Sequence, residues 1–218
     1  MSAPKIALFS TAYMPPVSFF ATALQYELIF IEACENYPKQ SYRNRCRILG
    51  PNGMQTLSIP TLKTAELKRQ TKDVCIAYND RWQQIHWRSI LTAYSKSPYF
   101  LYYRDAFEPF FEKQYPLLME LNQQLMALIF KLLKLNCQLA YTTQYGEHDL
   151  VDHDYRTAFT PKKEIEIMMP PYYQVFRERA AFIPDLSILD LLFNLGPEAA
   201  AYLHSLELPK KEIPLPEN

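Results

Sequence analysis

Apolar and polar positions repeat with a strand period through the first sixty residues and with a helical period through much of the rest. Lys5 to Ser10 (KIALFS) is an apolar run of strand length, and Tyr13-Met14-Pro15-Pro16 ends it, because proline has no N–H to offer a ladder. Ser18 is then placed to cap a short helix over Phe19 to Tyr26, and Glu27 to Glu32 (ELIFIE) reads as a second strand. Strand, loop, helix and strand make a βαβ-type beginning with parallel strands. Residues 10 to 16 then lie at the carboxyl end of the first strand, where open α/β sheets usually bind ligands.

Ser41 to Pro60 (SYRNRCRILGPNGMQTLSIP) predicts a hairpin. Arg43, Arg45 and Arg47 fall at every second position and so share one face of a strand, opposite Tyr42, Cys46 and Ile48, with Asn44 among these. Pro51-Asn52-Gly53 supplies the turn, since Asn and Gly tolerate positive φ, and Leu57 and Ile59 resume the alternation. Three guanidiniums on one face repel one another unless an anion lies against them. That anion is either one of the protein's own carboxylates or a phosphate or carboxylate ligand.

Further along, Thr61 to Asp73 is charged and aperiodic and reads as an exposed, mobile excursion; Val74 to Tyr78 reads as a strand. Asn79 or Asp80 is placed to cap the next helix, on which Trp82, His86, Ser89 and Ala93 share a face at spacings of four, three and four. Such a face is either a reactive set or a half-buried group satisfied internally. Ser97-Pro98-Tyr99-Phe100 ends that helix. Two more are predicted over Tyr103 to Lys113 and Leu117 to Leu135, the second with leucines at helical spacing that mark core packing. Gln138 to Gln144 reads as a strand. Pro184-Asp185 sets up a last helix over Leu186 to Asn194, with Asp185 as N-cap and Gly196-Pro197 ending it and starting the next. Asp190 and Asn194 form a polar stripe on it. The expected architecture is α/β, a single domain over residues 1–208 with a βαβ start and a hairpin in a mixed sheet, a helix-rich second half packed on it, and a disordered tail at 209–218.

Composition narrows the chemistry. Of 218 residues, 23 are Lys or Arg and 23 are Asp or Glu, a balance that argues against a nucleic-acid binder. Four glycines leave no Gly-rich phosphate loop, so no nucleotide cofactor is identified by motif and the cofactor stays unknown. The four cysteines are scattered, without the spacing of a metal site or a disulfide framework, and fit reduced thiols in a cytoplasmic protein. Met1 to Thr11 has no long apolar segment and reads as no signal peptide, and Leu117 to Leu135 is too interrupted by polar residues to be a membrane span. His148, Asp149, Asp152 and His153 invite a metal, but their spacing fits no helical His pair and no metal is assigned.

Three blocks together resemble the WbqC-like family: Asn44-Arg45, Arg47-Ile48, Pro51, Gly53 and Leu57 to Pro60; Trp82, His86, Ser89, Tyr94 and Ser97 to Phe100; and Tyr173 to Phe176, Phe182 to Pro184, Leu186 to Asn194 and Gly196. The resemblance implies work on a sugar precursor of O-antigen or another surface polysaccharide. On that expectation the protein is a transferase-type enzyme whose partner is a phosphorylated or nucleotide-linked sugar. Arg45 and Arg47, with Arg43, Asn44, Tyr13, Trp82 and Asn194, bind the substrate; His86, Ser89 and Asp190 are catalytic, His86 as the acid–base. The family's first strand runs into a His-Gln-Pro-type loop followed by Tyr-Leu-Pro-Trp. Here Ser10-Thr11-Ala12 and Tyr13-Met14-Pro15-Pro16 stand there, so the histidine is missing. The alternative expectation is therefore a non-catalytic anion-, sugar- or partner-binding protein that keeps the fold.

Overall fold

The computed structural model describes residues 4–63, 69–146, 151–162, 167–179 and 181–208. Its centre is a parallel sheet built as expected from β1 (Ile6–Ser10) and β2 (Leu28–Glu32), joined through α1 (Val17–Ala23). β5 (Gln138–Tyr141) adds beside β2 and β6 (His153–Asp154) beside β1, which gives the order β5-β2-β1-β6 with every pairing parallel. Ala7, Leu8, Phe9 and Ile29 are fully buried, as strands covered on both faces should be.

The hairpin, β3 (Arg45–Gly50) and β4 (Gly53–Ser58), stands as its own two-stranded ladder and does not extend the parallel sheet into a mixed one. Its other edge is already engaged: the Ser187 N–H donates to the Arg47 carbonyl at 2.8 Å. Arg43 lies outside the strand, in the bend that precedes it, so the predicted row of three arginines on one face is reduced to Arg45 and Arg47. Both are half-buried, and Cys46 and Ile48 point into the core as expected.

The helical part follows the pattern with shifted ends: α2 (Trp82–Tyr94), α3 (Phe100–Phe107), α4 (Pro109–Glu112), α5 (Leu118–Leu132), α6 (Ile188–Leu195) and α7 (Ala199–Ser205). Neither Asn79 nor Asp80 caps α2, whose N-cap is Arg81 without a side-chain bond. Val74 to Tyr78 forms only isolated bridges, Thr61 to Ile76 and Cys75 to Leu117. Residues 64–68 of the charged excursion and the expected tail at 209–218 lie outside the described residues. The end of the excursion is anchored: Thr71 and Lys72 donate their N–H groups to the Glu35 and Ala33 carbonyls, both at 2.9 Å.

The caps of α1 and α6 are exchanged relative to expectation. Ser18 sits inside α1, and its N–H and hydroxyl both donate to the Asp185 carboxylate, at 2.8 and 3.0 Å. Asp185 therefore serves the N-terminal turn of α1, while Ser187 caps α6 by accepting from the Leu189 N–H. The exchange works because the chain doubles back here: Pro16 and Ser187 form an antiparallel bridge, with Val17 N–H to Leu186 O at 3.0 Å and Ile188 N–H to Pro15 O at 2.9 Å. Met14 and Asp185 take positive φ, 43° and 54°, on either side of this stitch. Every residue of α6 from Ile188 to Asn194 is buried, so this helix is a central pillar, with Phe193 in contact with the rings of Tyr94, Phe100 and Phe107. No helix among the described residues is long and apolar enough to cross a membrane.

Gly196 ends the pillar at φ 54°, and a Cβ there would meet the Tyr99 ring at 2.4 Å. Strain and clash act together, so Gly196→Ala is expected to cost at least about 2 kcal/mol. Urea unfolding of the variant checks this; a midpoint within error of the parent would mean that Tyr99 moves aside freely.

Candidate functional site

α2 lies along the hairpin, and its inner face carries Trp82, His86, Ile90 and Ala93 into the interior. His86 is almost wholly buried. Its Nδ1 is 3.0 Å from the Tyr13 hydroxyl, and the Trp82 indole meets the imidazole edge-on with ring centroids 5.1 Å apart. Burial favours the neutral ring and lowers the His86 pKa from 6.5 to about 4, against a backbone hydrogen bond at Ser58 that works the other way. Tyr13 is fully buried, and desolvation likewise keeps its hydroxyl protonated. Tyr13, Trp82 and His86, expected at one site from two distant segments, thus touch. Ser89, one turn along α2, is half-exposed and accepts a hydrogen bond from Gln55 of β4 at 3.1 Å.

Asp190 and Asn194 share a face of α6 as predicted, but they look inward. The Asp190 carboxylate accepts from the Tyr172 hydroxyl at 2.6 Å and from Gln174 Nε2 at 2.9 Å. Gln174 also exchanges hydrogen bonds with the Ile183 backbone, so the carboxylate pins the chain from 172 to 183 onto α6. Burial raises the Asp190 pKa to about 6, opposed by Tyr172, Gln174 and Tyr94. Asn194 donates to the Asp190 carbonyl at 2.8 Å, one turn back on its own helix.

The arginines go to separate places. Arg43 forms a two-pronged pair with Glu35, Nε to Oε1 at 2.6 Å and Nη2 to Oε2 at 2.7 Å, and both side chains are buried. Arg47 donates to the Pro161 carbonyl and lies 5.9 Å over the Tyr42 ring. Among the described residues the buried Arg45 Nε has no hydrogen-bond partner. Asn44 donates to the Ile59 carbonyl at 2.8 Å and thereby closes the base of the hairpin.

Residue-by-residue reading missed the charged group at the carboxyl edge of the parallel sheet. Glu32, at the end of β2, is fully buried and accepts from the Thr142 hydroxyl at 2.7 Å and the Cys34 N–H at 2.8 Å. Arg156 Nη1 stands 3.6 Å from its other oxygen, and the same guanidinium grips Asp154 at 2.6 to 3.0 Å. Glu35 and Arg43 adjoin, Arg43 Nη2 reaching the Arg156 carbonyl at 3.4 Å. Burial raises the Glu35 pKa, partly offset by Arg43. Asp154 of this group serves Arg156, two residues on, and not an arginine of the hairpin. Among the described residues no group of His, Cys, Asp and Glu is arranged to hold a metal; His148 and Asp149 lie outside them.

Between β4 and α2 runs a groove. One end, about 470 Å³, is walled by Ser58, Pro60, Arg81, Trp82 and His86. It shares Gln55 and Ile85 with a middle hollow of about 560 Å³ that holds Asn52, Arg88 and Ser89. His86, Trp82 and Ser89 therefore border two adjoining hollows, whereas Asp190 and Arg43 are absent from their walls.

The family model described as the WbqC-like protein family matches residues 11–159. The uncharacterised protein Rv1507c of Mycobacterium tuberculosis is 26% identical over 225 residues, covering 91% of this chain and 97% of its own. No solved structure matches.

His86 and Asp190 oppose each other in pH. A base whose folded pKa is lowered withdraws stability as pH falls from 6.5 to 4; an acid whose folded pKa is raised withdraws it as pH rises from 3.8 to 6. NMR titration of the imidazoles is expected to find one, His86, with a midpoint near 4; a midpoint near 6.5 would mean that water reaches the ring. Asp190→Asn keeps an acceptor for Tyr172 and Gln174 and removes the charge. Relative to that variant the parent should lose on the order of 2 kcal/mol of unfolding free energy between pH 4 and 6. Parallel stability curves would contradict this.

Proposed function

Since the chain belongs to the WbqC-like protein family, we propose that it is a cytoplasmic transferase-type enzyme acting on a phosphorylated or nucleotide-linked sugar in surface-polysaccharide (O-antigen) assembly. The observation that carries this reading is the groove along α2, where His86, Trp82 and Ser89 meet a set of exposed cations. In the tautomer whose Nδ1–H donates to the Tyr13 hydroxyl, the neutral imidazole keeps Nε2 to accept the proton of an attacking hydroxyl, at the expense of the backbone bond at Ser58, while Tyr13 holds the ring in place from behind. Ser89, already paired with Gln55, orients a sugar hydroxyl. Asp190 and Asn194 are positioning residues here, since their bonds hold the chain at 172 to 174 and α6 itself. Arg45 and Arg47 stay on the hairpin as secondary anion contacts; the fork of Arg43 is occupied by Glu35.

One observation favours the non-catalytic alternative. Ser10 and Thr11, which replace the family's loop residues, are buried, and Thr11 is used to accept from Asn122 at 3.2 Å. Ser10, Thr11 and Ala12 thus put no acid or base at the carboxyl end of β1.

The two readings part on His86→Gln. A thermal-shift panel of nucleotide sugars, free nucleotides, acyl-CoA thioesters and inorganic phosphate should raise the parent's melting temperature with a nucleotide sugar. His86→Gln should keep that shift and lose at least about 100-fold in transfer rate. Equal turnover by both proteins would remove His86 from the chemistry. Binding without turnover by the parent would select the non-catalytic reading, and a panel without any shift would sink both as drawn.

A further inference from the structure

The groove continues beyond Ser89. Past Pro51 and Thr92, which line both parts, it opens into a third hollow of about 450 Å³ between the end of α2 and the chain at 173–179. This volume is within the range of small-molecule sites. Lys96, Arg177 and Arg179 line it, and Arg88 faces the middle hollow; among the described residues Glu178 is the one carboxylate along these two parts. All four cations are exposed, and none is in an ion pair among the described residues. A chain of zero net charge has therefore gathered four exposed cations against one acid among the described residues of these two parts, while Asp80 and Arg81 both line the far end.

The cations come with a flat surface. Tyr173 is 36% exposed, and the Arg177 guanidinium stacks over its ring at 4.8 Å from the centroid. Phe176 adds a second half-buried ring to the wall. Aromatic faces and stacked guanidiniums hold nucleobases, and arginine forks hold phosphate oxygens. The platform is also rigid. Gln174, beside Tyr173, is 1% exposed and tied to both Asp190 and Ile183. The buried Asp190 cluster thus preorganises a surface that Asp190 never touches.

We infer that this third hollow binds a nucleoside diphosphate, with the base against Tyr173 and Arg177 and the diphosphate among Lys96, Arg179 and Arg88. A group carried on the terminal phosphate then lies in the middle hollow beside Ser89, one helical turn from His86. This inference rests on the proposed function for the identity of that group, but the nucleotide site stands on its own residues.

The test is calorimetric titration of the full chain with uridine diphosphate, uridine and inorganic diphosphate. The variants are Arg177→Glu/Arg179→Glu, Tyr173→Ala and, as a charge control on α5, Lys131→Glu. All four positions are solvent-facing side chains, and a melting curve for each verifies the fold. Uridine diphosphate should bind the parent and the control alike, at least tenfold more tightly than either uridine or inorganic diphosphate. Its affinity should fall at least tenfold in both groove variants and should weaken with added salt. Equal affinity in parent and double charge reversal would overturn the site, as would no binding to the parent. Equal affinity for uridine diphosphate and inorganic diphosphate would overturn the base platform. Binding of a polyglutamate peptide in place of the nucleotide would also overturn it and give the groove to an acidic protein. Nucleotide binding lost in the groove variants, with no sugar transfer by the parent, supports this site while removing the transferase reading.

Discussion

Charges taken out of water at the edge of the parallel sheet have to find one another, and much of the fold is arranged around that requirement. Glu32, Glu35, Arg43, Asp154 and Arg156 are all buried. Breaking one such pair by removing a partner typically costs about 3–5 kcal/mol, because the other charge is left without solvent or counterion. Glu35 with Arg43 and Asp154 with Arg156 are close in sequence, and Glu32 with Arg156 joins distant segments into one group. Arg43 comes from the base of the hairpin, Glu35 from the loop after β2, and Arg156 from the turn after β6. The Arg43 carbonyl also accepts from Asn122 of α5 at 2.8 Å, so the hairpin base, the sheet edge and a helix converge on one backbone position. A pair of this kind adds little net stability over an apolar substitute, but it rejects arrangements that would leave a charge alone.

Two smaller polar groups lie in the apolar interior and are handled differently. His86 and Tyr13 stay neutral and share a hydrogen bond, so neither requires a counterion. Asp190 is in no ion pair among the described residues and relies on donors, Tyr172 and Gln174; burial outweighs them and lifts its pKa. The first arrangement leaves a base at the wall of the groove. The second fixes the chain that carries Tyr173 and Arg177. Both are buried devices whose effects are felt along the groove beside α2.

The arginines most noticeable in the sequence are therefore the least available. Arg43 is consumed by Glu35, and Arg47 by the Pro161 carbonyl and the Tyr42 ring. Arg88, Arg177 and Arg179, which no spacing rule singles out, line the groove and are in no ion pair among the described residues. Alternation told which side of β3 was apolar, but strand period says nothing of what another segment brings to the opposite side.

How far the chain can be read without its fold follows from the range of the forces involved. Periodicity and turn chemistry are local, and they were enough for β1, β2, the hairpin turn, the apolar face of α5 and the end of α6 at Gly196. The shared face of Trp82 and His86 was also visible, because helical spacing is a property of the chain itself. Its burial, and the meeting of His86 with Tyr13 from 73 residues away, came only with tertiary packing. The same holds for Asp185, which local rules assign to α6 and the fold gives to Ser18 of α1. Capping signals name a donor's need without naming the residue that meets it. Charge pairing is the extreme case. Coulomb attraction has no sequence period, so Glu32 with Arg156 and Glu35 with Arg43 were decided by which segments the sheet edge brought within reach, and the unpaired cations of the groove by which it did not.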